Sequence, residues 1–141
     1  MVTWREALLM PKYPHFKRIE TEIAKRFIRK FRIPGNYIFD FRLPVELPPR
    51  IEQYPPNVRR ALRALKARRI DIVIETPELD YLVEIKTRAN AYGVGQLLAY
   101  NEIYTTKVKP GRRTQLLLVC EVADIYMKKA CKALGITLIE V

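Results

Sequence analysis

Apolar positions recur at helical spacing near the N-terminus and then give way to alternation. Trp4 and Leu8, with Leu9 beside them, predict a short helix that Pro11 and Pro14 bring to an end. Ile19, Ile23, Phe27 and Phe31 form one apolar stripe of a helix over Phe16–Phe31. Pro34, Gly35 and Asn36 break that helix, and Tyr37–Leu43 alternates as a first strand. Pro44–Pro56 holds five prolines, too many for sustained regular structure. Asn57 is placed to cap a second helix that runs through Ala67 with Val58, Leu62 and Leu65 turned inward. Ile70–Thr76 is then a β-branched apolar run, Pro77–Asp80 supplies a turn, and Tyr81–Lys86 alternates.

The second half continues the rhythm. Ala89–Gly95 reads as a loop whose two glycines let backbone approach a ligand, and Val94–Thr106 as a helix. Lys109–Thr114 is a basic turn around Pro110–Gly111. Gln115–Glu121 is a nearly all-apolar strand, as expected at a sheet centre. Ala123–Leu134 is an amphipathic helix closed by Gly135, and Ile136–Val141 is a last strand. Strands and helices in this order predict an α/β fold, a mixed central sheet flanked by helices on both faces. Residues 1–141 make one domain, with 44–69 a proline-rich, basic-helix insertion between the first strand and the hairpin.

Composition excludes several chemistries. No serine is present, so no serine nucleophile is available, and a lone histidine rules out paired-histidine catalysis. That residue, His15, follows Pro14 at the expected start of a helix, where a capping or surface role is the reading. Two cysteines are too few for a four-thiolate zinc site or iron–sulfur cluster, and Cys120 and Cys131 read as buried apolar residues. No secretory signal and no membrane-length apolar run is seen, which predicts an intracellular (cytoplasmic) protein with no membrane partner. The formal net charge of +11 points to a polyanion, nucleic acid above all. Arg59, Arg60, Arg63 and Arg69, with Lys17 and Arg88, are the candidate phosphate contacts.

The candidate chemistry sits in RRIDIVIETPELDYLVEIKTRANAYGVGQLLAY. Alternation puts Glu84 and Lys86 on one face of a strand, and a hairpin carries Asp71 into their neighbourhood. Two carboxylates converging with an amine suit a hard divalent cation, Mg²⁺ or Mn²⁺, which takes oxygen ligands and keeps several waters. Asp71, Glu84 and the backbone carbonyl of Ile85 are the candidate ligands. Lys86 is placed to orient a water or to stabilise charge on a phosphate. An ordinary ion pair on a sheet face is the plainer account of Glu84 and Lys86 taken alone.

Asp, a thirteen-residue interval, then Glu–x–Lys on an alternating strand resembles the PD-(D/E)XK nuclease superfamily. Ile70 stands here where some members have proline. Gln96 and Tyr100, four apart and on one helix face, resemble the Gln-xxx-Tyr element of the RecB-like branch. The resemblance implies a restriction-endonuclease-like fold and Mg²⁺- or Mn²⁺-dependent DNA hydrolysis. It also implies a metal site on which Gln96 and Tyr100 look back, and a first-helix carboxylate, matched best by Glu20, that completes the metal shell through water. Within the superfamily it implies a RecB-like enzyme acting on single strands, flaps or ends in replication, repair or recombination. Small archaeal Holliday junction resolvases, which work as homodimers, are the alternative. A basic nucleic-acid-binding protein without catalysis is the reading from a different class.

Overall fold

The computed structural model describes residues 1–141 apart from 45, 47, 48 and 67, and of 64–66 the backbone only. Helix α1 (Trp4–Leu9) is capped by Thr3, whose hydroxyl accepts from Glu6 N–H. Helix α2 (Arg18–Phe31) follows, then strand β1 (Asn36–Arg42), helix α3 (Pro56–Lys66) and the hairpin β2 (Arg69–Glu75) and β3 (Asp80–Arg88). Helix α4 (Ala91–Ile103), strand β4 (Thr114–Val122), helix α5 (Ile125–Ala133) and strand β5 (Ile136–Glu140) complete the chain. The five strands lie in the order β1-β2-β3-β4-β5, antiparallel as far as β3 and parallel from β3 to β5. The sheet centre is therefore β3, which carries Glu84 and Lys86, and not the apolar β4 expected there. Apolar residues on both faces of β4 still follow from helices above and below it.

Two cores flank the sheet. Ala7, Tyr13, Ile23, Ala24, Phe27 and Ile28 pack with Ile72, Ile74, Val83 and Ile85 on the face covered by α1 and α2. Val94, Leu97, Tyr100, Tyr104 and Cys131 pack with Val73, Leu82, Leu118 and Cys120 on the face covered by α4 and α5. Both cysteines are buried and free, as the composition suggested. Each face takes alternate residues of β3: Leu82 enters one core, Val83 and Ile85 the other. The period-2 reading of that strand holds.

Several local expectations change. The α2 stripe shifts by a residue, so Ile23, Ala24, Phe27 and Ile28 are buried while Ile19 and Phe31 at its ends are exposed. Helix α3 starts at Pro56, one residue before the expected cap at Asn57, since proline suits the first helical turn. Val58 faces solvent and Leu62 is half-buried, so no described α3 side chain joins a core; the expected helix end at Ala67 and the side chain of Leu65 fall outside the described residues. The supposed glycine loop is helical. Asn90 caps α4 by accepting from Gly93 N–H at 2.7 Å, which draws Ala91–Gly95 into the first turn. No described helix is long and apolar enough to cross a membrane.

Candidate active site

The hairpin ladder of β2 and β3 runs from Glu75–Asp80 beside the turn to Ile72–Val83. One step further, side chains replace backbone. Ile85 N–H donates to Asp71 Oδ2 at 2.8 Å, and Asp71 N–H donates to Glu84 Oε1 at 3.4 Å. Each strand answers the other with a carboxylate where a carbonyl would stand, and regular pairing ends. On the other side of β2, the register places Asp40 opposite Asp71, between the pairs Phe39–Ile72 and Phe41–Ile70. Asp40 has a left-handed backbone, φ 55°. Ile70 and Val73, three apart, both enter the α4-side core, so Asp71 lies at a break in the pleat.

Electrostatics at this fork are unbalanced. Glu84 is only 2% exposed, and burial pushes its carboxyl well above the ordinary range, with the Asp71 charge adding to the effect and Lys86 opposing it. Burial also raises Asp71, to about 6; its bonds with Ile85 and Glu84 and the charge of Lys86 pull the other way, and Glu20 adds repulsion. The two acids titrate as a pair. One ammonium does not offset two desolvated carboxylates. The donor set, hard oxygen with surplus negative charge, fits Mg²⁺ or Mn²⁺. No group of three or more Asp, Glu, His or Cys side chains converges to hold a metal among the described residues, so such an ion would need backbone or water oxygen as well.

Helix α4 closes the site from above Glu84. Tyr100 is buried, and burial first, then the charges of Glu84 and Asp71, raise its hydroxyl pKa. Gln96 Nε2 donates to Tyr100 OH at 3.0 Å, while Gln96 Oε1 is buried without a partner. Lys86 Nζ stands 5.2 Å from the Tyr92 ring centroid. Its methylenes pass Gly93, where a Cβ would lie 3.3 Å from Lys86 Cγ and Cε and from Leu118 Cδ1. Asp71, Glu84, Lys86, Gln96 and Tyr100 thus share one neighbourhood. Sequence reading missed Tyr92, although Tyr92, Gln96 and Tyr100 fall at successive steps of four on one helix face.

The outlying candidates are placed differently. Glu20 lies in the first turn of α2 and accepts from Lys17 N–H at 2.7 Å, a helix-capping bond, with its charge still felt at Asp71. His15 precedes α2 in a turn, with φ 62°, and its Nε2 lies 3.3 Å from Asp40 Oδ2. Arg69 Nη1 is 3.3 Å from the same oxygen, so this candidate phosphate contact is engaged. Lys17, Arg60, Arg63 and Arg88 are exposed and Arg59 is half-buried.

No protein-family model and no curated protein matches the sequence. Among solved structures, the chain is similar to a repair endonuclease from Pyrococcus abyssi, with a TM-score of 0.57 and 17% identity. The likeness takes in 89% of this chain and 48% of that one, so the chain spans about half the length of the structure it matches. The fold is restriction-endonuclease-like. At this identity the comparison speaks for the sheet and its flanking helices only.

Proposed function

We propose that this chain is a metal-dependent nuclease that hydrolyses phosphodiester bonds in DNA. The fork at Asp71 and Glu84 carries the reading: two desolvated, mutually repelling carboxylates beside an ammonium, on a fold similar to that of a repair endonuclease. Asp71 and Glu84, with the Ile85 carbonyl, would hold Mg²⁺ or Mn²⁺, and Glu20 would reach it through water. A bound divalent cation supplies Lewis-acid polarisation of the phosphate and a lowered pKa for the attacking water. Lys86 orients that water and opposes the negative charge that grows on the phosphate. Gln96 holds the Tyr100 hydroxyl in place and offers its free Oε1 as an acceptor for water or substrate. Exposed Lys17, Arg60, Arg63 and Arg88, with Arg59, bind backbone phosphates. Gln96 and Tyr100 on the face towards the carboxylates favour a RecB-like enzyme of single strands, flaps or ends, working in replication, repair or recombination.

The test is cleavage of plasmid, flap and four-way-junction DNA with Mg²⁺, Mn²⁺ or EDTA. Wild type should cut only with metal. Glu84→Gln and Lys86→Ala should bind DNA normally and lose at least about a hundredfold in rate. Equal cutting by wild type and both variants would reject the assignment. Preference for the junction together with a dimer on sizing would move it to the resolvase alternative.

A further inference from the structure

We propose that Tyr92 and Gly93, in the first turn of α4, are positioning residues for the Lys86 ammonium. The proposal rests on the nuclease reading for its catalytic consequence, but its geometry stands independently. Lys86 projects from β3 toward α4 on the same side as Glu84, and a free lysine there has four flexible bonds and a choice of directions. Two features of α4 narrow that choice. The Tyr92 ring lies under the ammonium, 5.2 Å from centroid to Nζ, within cation–π range. Gly93 removes the one Cβ that would press on the stem, since the built position is 3.3 Å from both Lys86 Cγ and Cε.

These features are set independently of Lys86. Asn90 fixes the start of α4 by accepting Gly93 N–H at 2.7 Å, and Leu97 and Tyr100 anchor the same helix in the core. The ring and the gap are therefore preset by the helix, and the lysine folds into them. Tyr92 is otherwise 71% exposed, a large aromatic surface to leave in water, and the Lys86 ammonium lies over its ring. Gly93 is also a costly choice for a helical position, where alanine is ordinarily preferred. The approach of Lys86 accounts for the ring, and Lys86 together with Leu118 Cδ1, also 3.3 Å from the built Cβ, accounts for the glycine.

The experiment compares Tyr92→Leu, Tyr92→Phe and Gly93→Ala with wild type. It measures kcat and KM for DNA cleavage, Tm, and the rate of Lys86 acetylation by acetic anhydride, mapped by mass spectrometry without metal. Tyr92→Leu should lower kcat about two- to fivefold, the scale of an exposed cation–π contact, with KM and Tm unchanged. Tyr92→Phe keeps the ring and should retain the wild-type rate. Gly93→Ala should lower kcat several-fold without lowering Tm. Lys86 should acetylate several-fold faster in Tyr92→Leu than in wild type or Tyr92→Phe. Unchanged kcat and labelling in Tyr92→Leu, or equal loss in Leu and Phe, overturns the proposal. If wild type itself does not cut, the nuclease reading fails, and the labelling rates still decide whether Tyr92 holds the lysine.

Discussion

The β2–β3 hairpin carries acids at both ends, and the two ends have opposite electrostatics. Beside the turn, Asp80 is completely buried yet accepts from Tyr104 OH at 2.6 Å, Lys109 Nζ at 2.8 Å and Arg112 Nη2 at 3.1 Å. Burial alone would raise its carboxyl; the bonds from Lys109, Tyr104 and Arg112 win and hold it below the ordinary range. Glu75 is lowered as well, first by Lys109 and then by Asn36. At the fork, Asp71 and Glu84 accept the backbone amides of Ile85 and Asp71 with the Lys86 charge nearby, and burial outweighs all of these, so both are raised. The same local topology thus makes a clamp at one end and a charge-hungry pair of acids at the other. Cationic side chains bond directly to Asp80, whereas the fork acids take backbone amides. A perturbed carboxylate is therefore read together with its partners, since ion-pair networks perturb pKa values as functional sites do.

Neutralising one acid at each end is the sharpest way to break this contrast. Asp80→Asn takes the buried charge from between Lys109, which keeps Glu75, and Arg112, and should cost about 1–3 kcal/mol, read from urea unfolding midpoints at unchanged slope. Asp71→Asn removes charge from an already unfavourable pair and should leave stability unchanged or raise it, by at most roughly 3 kcal/mol at neutral pH. A large loss in Asp71→Asn would mean that the fork is structural after all.

The pH dependence divides the ends in the same way. Asp71 is raised from 3.8 to about 6, so the folded protein holds a proton that the unfolded chain releases. The Asp71 contribution is full below the unfolded value and falls as pH rises between roughly 4 and 6, by up to about 3 kcal/mol. Asp80 and Glu75 are lowered, so their contribution is present above the unfolded values and disappears as pH falls through the folded ones. Metal-free wild type should therefore decline more steeply between pH 4 and 6 than Asp71→Asn, in which burial still raises Glu84, measured by thermal unfolding. Mg²⁺ should offset that decline by binding the deprotonated pair. Identical pH profiles for the two proteins would remove the linkage.

The smallest expected effect lies away from both ends. Replacing Arg59, Arg60 and Arg63 with alanine should weaken DNA binding and reduce the slope of log K against log salt by about 2 to 3. An unchanged slope would take α3 out of the proposed DNA interface. Its described side chains lie outside both cores, so little stability should be lost with them.

Some of this was legible in the sequence and some was not. Alternation along Tyr81–Lys86 gave the faces of β3, and the interval from Asp71 to Glu84 followed from a hairpin whose turn residues are explicit. The shared face of Gln96 and Tyr100 follows from helical periodicity. These are short-range facts, and short-range physics decides them. The Asp80 network joins residues 29 and 32 positions apart, and no local pattern pairs Lys109 or Arg112 with a turn aspartate. Asp80 read as turn chemistry and Lys109 as part of a basic turn. Gly93 and Gly95 misled in a different way: glycine content suggested a loop, while the Asn90 cap decided for helix. Periodicity shows that a helix has an apolar side, not whether anything covers it, and Val58 on that side of α3 faces solvent.

The fork also bears on how its residues should be mutated. Ile85 is nearly inaccessible to water, and the Asp71 carboxylate is the acceptor for its amide proton. Truncating Asp71 to alanine would abandon a buried donor, a penalty of about 1–3 kcal/mol unrelated to any ion. An amide of the same shape keeps an oxygen there and alters charge alone. Isosteric replacement, rather than truncation, is what separates the scaffold's need for that side chain from the reaction's.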